Sequence, residues 1–114
     1  MSISHERVAE GIARETEAYV AAHPRCAELA AAGREHMPGG VPMSWMVKWP
    51  GPFPLHVAEA QGAHFSCADG IEHSDLCLGD TGAMCGHSPE PVVRAVREQV
   101  GRGITAMLPT ADAA

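Results

Sequence analysis

Residues 55–78 read LHVAEAQGAHFSCADGIEHSDLCL, and this stretch decides the fold class of the chain. Leu55 and Val57 alternate with polar side chains, and a period of two is typical of a strand that is buried on one face. Asp69-Gly70 predicts a tight hairpin turn in which both residues adopt a positive φ. The stretch therefore predicts a three-stranded antiparallel meander, with strands at residues 55–59, 64–68 and 71–78.

Two helical segments are predicted before the strands. Ser4 can accept a hydrogen bond from an unpaired backbone N–H, so we expect it to cap a first helix that ends near Ala22. Pro24 suits the first turn of a second helix that ends before residue 38. The apolar stripe of the first helix is Val8, Ile12, Thr16 and Tyr19, and that of the second is Cys26, Leu29 and Ala30. Two helices or one kinked helix both satisfy this pattern.

Residues 38–54 are predicted to form a long, structured loop. They hold five prolines, three glycines and both tryptophans, which excludes a regular helix and disfavours the interior of a sheet. Flexible linkers are poor in large apolar groups, whereas this segment contains several that would gain by burial: Trp45, Met46, Trp49 and Phe53. We therefore expect the loop to pack against another surface.

A glycine-rich exit and a last helix follow the predicted strands. Ser88-Pro89-Glu90 combines a capping hydroxyl, a preset φ and an acid at the positive end of the helix dipole, so we expect a helix from about Pro89 to Val100. Its apolar face, which we expect to be buried, is Val92, Val93, Val96 and Val100.

The composition excludes several classes of function. The chain has 114 residues, a formal net charge of −6 and eight scattered basic residues, whereas nucleic-acid binding needs a clustered basic face. No apolar stretch approaches the roughly 20 residues that span a bilayer, and no signal-peptide pattern opens the chain. We therefore expect a soluble, cytoplasmic protein. Aromatic residues make up only 4%, so the core should be small and should depend on a further surface.

The seven histidines and four cysteines raise the question of a metal site, because imidazole and thiolate are the usual ligands of zinc. The spacings of His64 with Cys67 and of His73 with Cys77 match no paired ligand set, so no metal site is predicted. We expect four free thiols, with Cys67 and Cys85 as small buried groups.

Several short motifs follow one another in a specific order: Met37-Pro38-Gly39-Gly40-Val41, Gly62-Ala63, Asp69-Gly70, Asp75, Gly86-His87 and Pro109-Thr110. In this order and spacing the chain resembles the opening of class III pyridoxal-phosphate-dependent aminotransferases. It looks most similar to the glutamate-1-semialdehyde aminomutases and the β-phenylalanine aminotransferases. The resemblance implies a small α+β part of a fold-type-I transferase, which is α/β when complete. It also implies a separate large domain that carries the cofactor and a homodimer with active sites at the subunit interface.

By this resemblance the chain divides into four segments. They are an N-terminal helical segment (1–37), a loop on the substrate side (38–54), the small-domain sheet with its glycine-rich exit (55–88), and a helix leading to a large domain (89–114). The resemblance suggests these substrate-pocket residues: Ser44, Trp45, Gly79, Asp80, Thr81 and Gly82. It places the Schiff-base lysine and the phosphate-binding loop outside this chain. Lys48, the single lysine, is expected to be exposed and solvated, so no catalytic residue is assigned.

The chain departs from the family pattern in two places, of which the first concerns the substrate. No arginine lies between Arg34 and Arg94, so the bidentate carboxylate contact that some relatives make is not expected. Pro89 and Pro91 flank the position where relatives usually carry proline after a Gly-His pair. We interpret Gly86-His87 as a tight turn and cap, and the less favoured alternative is an anion site at the helix start.

The function expected from the resemblance is amino-group transfer, either between an amino acid or amine and a keto acid or aldehyde, or within one molecule as in an aminomutase. Pyridoxal 5'-phosphate is the implied cofactor, and this segment is expected to shape the substrate mouth and to be inactive alone. The alternative is a non-catalytic, truncated or split module that docks on a companion chain. That alternative predicts an exposed apolar face along the last helix.

Overall fold

The computed structural model describes residues 4–104 and 107–113. The chain divides into two compact units, which are described separately below. The first unit contains the described residues of Met1–Glu59 and Phe65–Ser74, and the second contains those of Ala60–His64 and Asp75–Ala114. In the described part of the chain, no helix is long and apolar enough to cross a membrane.

Two helices open the first unit, which is the first of the two alternatives expected from the sequence. Helix α1 spans His5–Ala22, and the hydroxyl oxygen of Ser4 accepts a hydrogen bond from the backbone N–H of Arg7 at 3.4 Å. Helix α2 spans Pro24–Gly33 with proline in its first turn. Only part of the predicted apolar stripes is covered, because Val8 and Ile12 are 45% and 62% exposed while the α2 residues Cys26 and Ala30 are buried.

A three-stranded antiparallel sheet follows, with strand order β1-β2-β3, as predicted. The strands are β1 (Val57–Gln61), β2 (His64–Cys67) and β3 (Glu72–Ser74). The third strand is shorter than predicted because the Asp75 carboxylate accepts hydrogen bonds from the backbone N–H groups of Cys77 and Leu78 and turns the chain out of the sheet.

The hairpin turn at Asp69-Gly70 is present, but its predicted geometry is wrong. Only Gly70 has a positive φ, at 76°, and the backbone N–H of Gly70 donates to the carbonyl oxygen of Cys67 at 2.8 Å. The backbone N–H of Cys67 in turn donates to the carbonyl oxygen of Ile71 at 3.0 Å. The connection is therefore a three-residue loop with a left-handed glycine at its end, which leaves Asp69 in an ordinary conformation.

The core of the first unit is small, as the composition predicts. It consists of Cys26, Ala30, Phe53 and Cys67, and the largest side chains that are completely buried are the two cysteines. Tyr19 packs at its edge, with its ring centroid 5.1 Å from that of Phe53, and its hydroxyl donates to the Phe53 carbonyl oxygen at 2.8 Å. This contact ties α1 to the end of the proline-rich loop.

The loop at residues 38–54 contains no α-helix or strand, as predicted, and forms two 3-10 turns, Pro38–Gly40 and Ser44–Lys48. Phe53 is buried, which confirms the expected packing for that residue. Trp45 and Trp49 remain 62% and 41% exposed, so the expected burial of the two indoles does not occur within the described residues.

The second unit carries helix α3 (Glu90–Val100). Ser88 is not its cap, contrary to the prediction: Pro89 holds the N-cap position without a side-chain cap, and the Ser88 hydroxyl donates to the Ala60 carbonyl oxygen at 2.9 Å. Proline disfavours a right-handed helical conformation in the residue before it, and Ser88 adopts a φ of 49°.

The second unit lacks a core among its described residues, since none of them is buried. Cys85, which was predicted to be buried, is exposed. Val92, Val96 and Val100 are 54–57% exposed, so the expected apolar face of α3 is open to solvent. This exposure is what the alternative of a docking module predicts, and it equally suits a helix whose partner surface lies in another part of an enzyme.

Candidate functional site

The exit segment, residues 75–88, is organised around the carboxylate of Asp75. One carboxylate oxygen accepts from the backbone N–H groups of Cys77 and Leu78 at 2.9 and 2.8 Å. The other lies 2.7 Å from Nε2 of His87. An ionised carboxylate only accepts, so Nε2 carries the proton. The hydrogen bond with His87, followed by those with the two backbone N–H groups, holds the pKa of Asp75 below its ordinary value.

Backbone contacts fix His87 in the same unit. His87 and Gly62 exchange two backbone hydrogen bonds, at 2.9 and 2.8 Å, and Gly86 with a φ of 84° lies against Gly62. A Cβ on Gly86 would come within 3.1 Å of the Gly62 Cα, so glycine is required at this close approach. Gly86-His87 is thus a tight turn, as preferred from the sequence, and His87 is a partner of Asp75 rather than a cap.

The Asp75 anchor holds a loop with unusual backbone angles. Leu78, Gly79 and Asp80 have successive φ values of 51°, 61° and 61°. A non-glycine residue in the left-handed region costs of order 1–3 kcal/mol and persists only where its surroundings enforce it. Backbone bonds from Asp80 to Cys77 and from Ala83 to Leu78, at 3.1 and 3.0 Å, close the loop.

The structure places the six predicted pocket residues in two exposed loops. Ser44 and Trp45 begin the second 3-10 turn of the first unit, and both are exposed. The other four lie next to one another in the strained loop of the second unit, also exposed: Gly79, Asp80, Thr81 and Gly82. The hydrogen bond between Asp75 and His87, which shapes this loop, was not predicted from the sequence, although both residues belong to the quoted motifs.

Lys48, the single lysine of the chain, lies in an exposed turn. A lysine that forms a Schiff base is normally desolvated or lies beside another cation, which makes its amine nucleophilic at neutral pH. Lys48 ends an exposed 3-10 turn, and its neighbours Val47 and Trp49 are themselves 54% and 41% exposed. Lys48 is therefore exposed, as the sequence predicts.

Asp69 has a structural role that its turn position alone does not predict. Its two carboxylate oxygens accept from the backbone N–H groups of Arg25 and Cys26, at 2.7 and 3.1 Å, and so cap the start of α2 from a distant hairpin. Desolvation raises the pKa of Asp69, but the hydrogen bonds from the Cys26 thiol and the two N–H groups outweigh it and leave that pKa below its ordinary value. Asp69 is thus a capping residue, as well as the expected turn former.

Solved structures resemble this chain over nearly its whole length. Glutamate-1-semialdehyde aminomutase from Pseudomonas aeruginosa PAO1 superposes with a TM-score of 0.87 and 42% sequence identity, covering 98% of this chain and 25% of that enzyme. A lysine-to-alanine variant of that aminomutase in complex with PMP superposes equally well. A β-phenylalanine aminotransferase from Variovorax paradoxus superposes with a TM-score of 0.80 and 27% identity, over 90% of this chain and 24% of that one.

Curated sequences agree with the structures. The chain is 36% identical over 76 residues to a glutamate-1-semialdehyde 2,1-aminomutase of Methanoregula boonei, and 38% identical over 77 residues to one of Cenarchaeum symbiosum. These matches include 67% and 68% of this chain but only 18% of each relative, so the chain spans under a fifth of their length. No family model matches the chain.

The helix pair, the three-stranded antiparallel sheet and the following helix are thus the small-domain part of a fold-type-I pyridoxal-phosphate-dependent transferase. The chain belongs to the class III aminotransferase family, with the glutamate-1-semialdehyde aminomutases and the β-phenylalanine aminotransferase among its relatives, and it corresponds to a part of those enzymes.

Proposed function

We propose that this chain is the N-terminal part of a class III transaminase or aminomutase and forms one side of its substrate mouth. One observation carries the proposal. An aminomutase structure about four times as long as this chain superposes on 98% of it, with a TM-score of 0.87 and 42% sequence identity. Pyridoxal 5'-phosphate, bound elsewhere in the complete enzyme, supplies the chemistry of amino-group transfer. The working state is a cytoplasmic homodimer.

Each compact unit of the chain contributes one exposed loop to this role. Asp75 and His87 hold the strained loop, so that Asp80 and Thr81 present side chains to the substrate without a rearrangement on binding. Preorganisation of this kind lowers the entropic cost of binding. Trp45, in the other loop, offers a large apolar surface that binding or assembly covers.

The test uses the complete gene product that contains this chain. Borohydride reduction in the presence of pyridoxal phosphate, followed by peptide mapping, should label one lysine outside residues 1–114 and leave Lys48 unlabelled. Lys48→Ala should keep full activity. A label on Lys48, or loss of activity in Lys48→Ala with the fold intact, would contradict the proposal.

Kinetics of paired variants test the substrate mouth. Thr81→Ala and Trp45→Ala should raise KM about tenfold, which corresponds to losing one contact of about 1.4 kcal/mol. Thr16→Ala, an exposed threonine on α1, is the matched control and should leave KM unchanged. Equal KM values for Thr81→Ala and Thr16→Ala would show that the loop containing Thr81 does not contact the substrate.

The exposed valine face of α3 favours one second candidate, a non-catalytic module that docks on a companion chain. Intact mass of the native product separates the two functions. A product several times the mass of this 12.0 kDa chain supports the enzyme part, whereas a product near 12.0 kDa supports the module. In the latter case, Val96→Asp should abolish copurification of the companion, and Arg97→Asp on the solvated side should not.

A further inference from the structure

A group of imidazole and thiol side chains in the first unit has no part in the proposed function. His23 lies between α1 and α2, Cys67 ends β2, and His73 lies in β3. One potential ligand atom from each residue lies within 4.8 Å of the other two. Cys67 is 1% exposed, His23 is 6% exposed and His73 is half-buried. Three good metal-binding groups therefore meet in the core.

The two imidazoles have nitrogens without a partner. Nδ1 of His23 lies 2.8 Å from the Tyr19 carbonyl oxygen, and since a carbonyl only accepts, Nδ1 donates and Nε2 keeps a lone pair. Nε2 of His23 and Nε2 of His73 are buried without a hydrogen-bond partner. Metal-bound histidines commonly donate their second N–H to a backbone carbonyl, which is what His23 does here.

A second group extends the first one. Sγ of Cys26, Sγ of Cys67 and a carboxylate oxygen of Asp69 also lie within 4.8 Å of one another. Asp69 is already committed to two backbone N–H groups of α2, and Sγ of Cys26 accepts from the His56 backbone N–H at 3.4 Å. Asp69 therefore supplies nearby negative charge, while the Cys26 thiol is the additional soft donor.

We propose that His23, Cys67 and His73 bind a zinc ion, with the Cys26 thiolate beside them as the fourth ligand. Two imidazoles with two thiolates form a common tetrahedral set for structural zinc. Zinc–nitrogen and zinc–sulfur bonds of about 2.0–2.3 Å imply donor separations of roughly 3.3–3.8 Å in a tetrahedron. Within each group the donor atoms lie no more than 4.8 Å apart, so reaching these separations requires approaches of at most about 1.5 Å. The Cys26 thiol shares a group with Cys67 but not with the two imidazoles, so the fourth bond requires the larger movement. Such an ion joins the helix pair to the β2–β3 hairpin.

The sequence does not show that these ligands meet, because they come from two separate parts of the chain. Zinc motifs recognised from sequence commonly pair two like ligands a few residues apart, whereas here His23 and Cys26 are three residues apart and Cys67 and His73 are six apart, each pair mixing one imidazole with one thiol. We therefore propose a specific ligand set where the sequence predicted no metal site.

The test begins with the metal content of the complete gene product, purified without chelator and then supplied with zinc. The double variant Cys67→Ala/His73→Gln is the reference. We expect the parent protein to bind one more zinc ion per chain than this double variant does. Either single variant should weaken zinc binding about 100-fold or more, since loss of even an outer-shell partner costs about 10–100-fold. Exposed Cys77→Ala and His36→Gln are the matched controls and should bind as the parent does.

Cobalt substitution keeps the test decisive if a core variant fails to fold. The parent loaded with Co²⁺ should show thiolate-to-cobalt charge-transfer absorption in the near ultraviolet and visible bands typical of a tetrahedral site. Cys26→Ala should weaken the charge-transfer band while leaving a His-Cys spectrum. No thiolate–cobalt band in the parent, or zinc binding that survives both Cys67→Ala and His73→Gln, would overturn the proposal.

Discussion

Replacing Gly40 with alanine tests how α2 is joined to the loop that follows it. Gly40 is buried, has a φ of 76° and donates its N–H to the Met37 carbonyl oxygen at 2.8 Å. A Cβ at this position would lie 2.7 Å from Cγ of Arg34 and 3.2 Å from the carbonyl oxygen of Ala30. Both the backbone angle and the packing therefore require glycine.

The magnitude follows from these two terms. A Cβ in the left-handed region costs about 1–2 kcal/mol. Forcing a methyl group against packed backbone costs about 1–3 kcal/mol more, because the Ala30 carbonyl cannot rotate away as a flexible side chain would. Gly40→Ala is thus expected to lower the free energy of unfolding by about 2–5 kcal/mol.

Variants of two other glycines in the same unit separate the cost of the backbone angle from the cost of the packing clash. Gly70 has the same φ of 76°, but a Cβ there meets nothing within 4 Å, so Gly70→Ala should cost only the conformational 1–2 kcal/mol or so. Gly11 lies within α1 with open space around it, so Gly11→Ala should raise stability by about 0.5–1 kcal/mol. Urea unfolding followed by far-ultraviolet circular dichroism measures all three variants. An equal loss for Gly40→Ala and Gly70→Ala would refute the inferred packing of Gly40 on α2.

Three further predictions concern side chains that make hydrogen bonds across the fold. The folded-state pKa of Asp75 lies below the unfolded value of about 3.9, so the stability that its hydrogen bonds contribute is present above about pH 4 and is lost as the pH falls through the folded-state pKa. Unfolding free energies measured across this pH range should show the loss, and the Asp75→Asn variant should not show it. Tyr19→Phe removes the bond to the Phe53 carbonyl oxygen and should lower the free energy of unfolding by about 0.5–1.5 kcal/mol, measured by urea titration, with no change counting against the contact. Ser88→Ala removes the hydrogen bond to the Ala60 carbonyl oxygen in β1 and no helix cap, so the helical circular dichroism signal should not change. A loss of helical signal would instead support Ser88 as the cap of α3.

Local sequence signals predicted most elements of this chain correctly. The Ser4 cap, the end of α1 at Ala22 and the start of α2 at Pro24 depend on one or two neighbouring residues, and all three were confirmed. The glycine of the Asp69-Gly70 pair also fulfilled its expected role. Failures arose where a distant group competes for the same atom, as for Ser88, whose hydroxyl bonds to Ala60 instead of a helix N–H.

In the candidate site, too, features set by residue order were predicted from the sequence, and contacts between distant residues were not. The residue order of the motifs was enough to indicate the family, which the superpositions confirmed, because spacing along a chain is preserved in a sequence. The role of the six pocket residues stays a prediction. What the structure adds is the hydrogen bond between Asp75, the residue after β3, and His87, which lies three residues before α3 begins; this pair holds the strained loop between them.

The sequence by itself determined the element types, the small core and the family, since these depend on composition, short-range capping and motif order. Only the tertiary structure decided that Asp69 caps α2 and that His23, Cys67 and His73 share one buried place. The physical reason is that such contacts depend on how the hairpin packs against the helix pair. A side chain's partner across the fold leaves no periodic or local trace in the sequence.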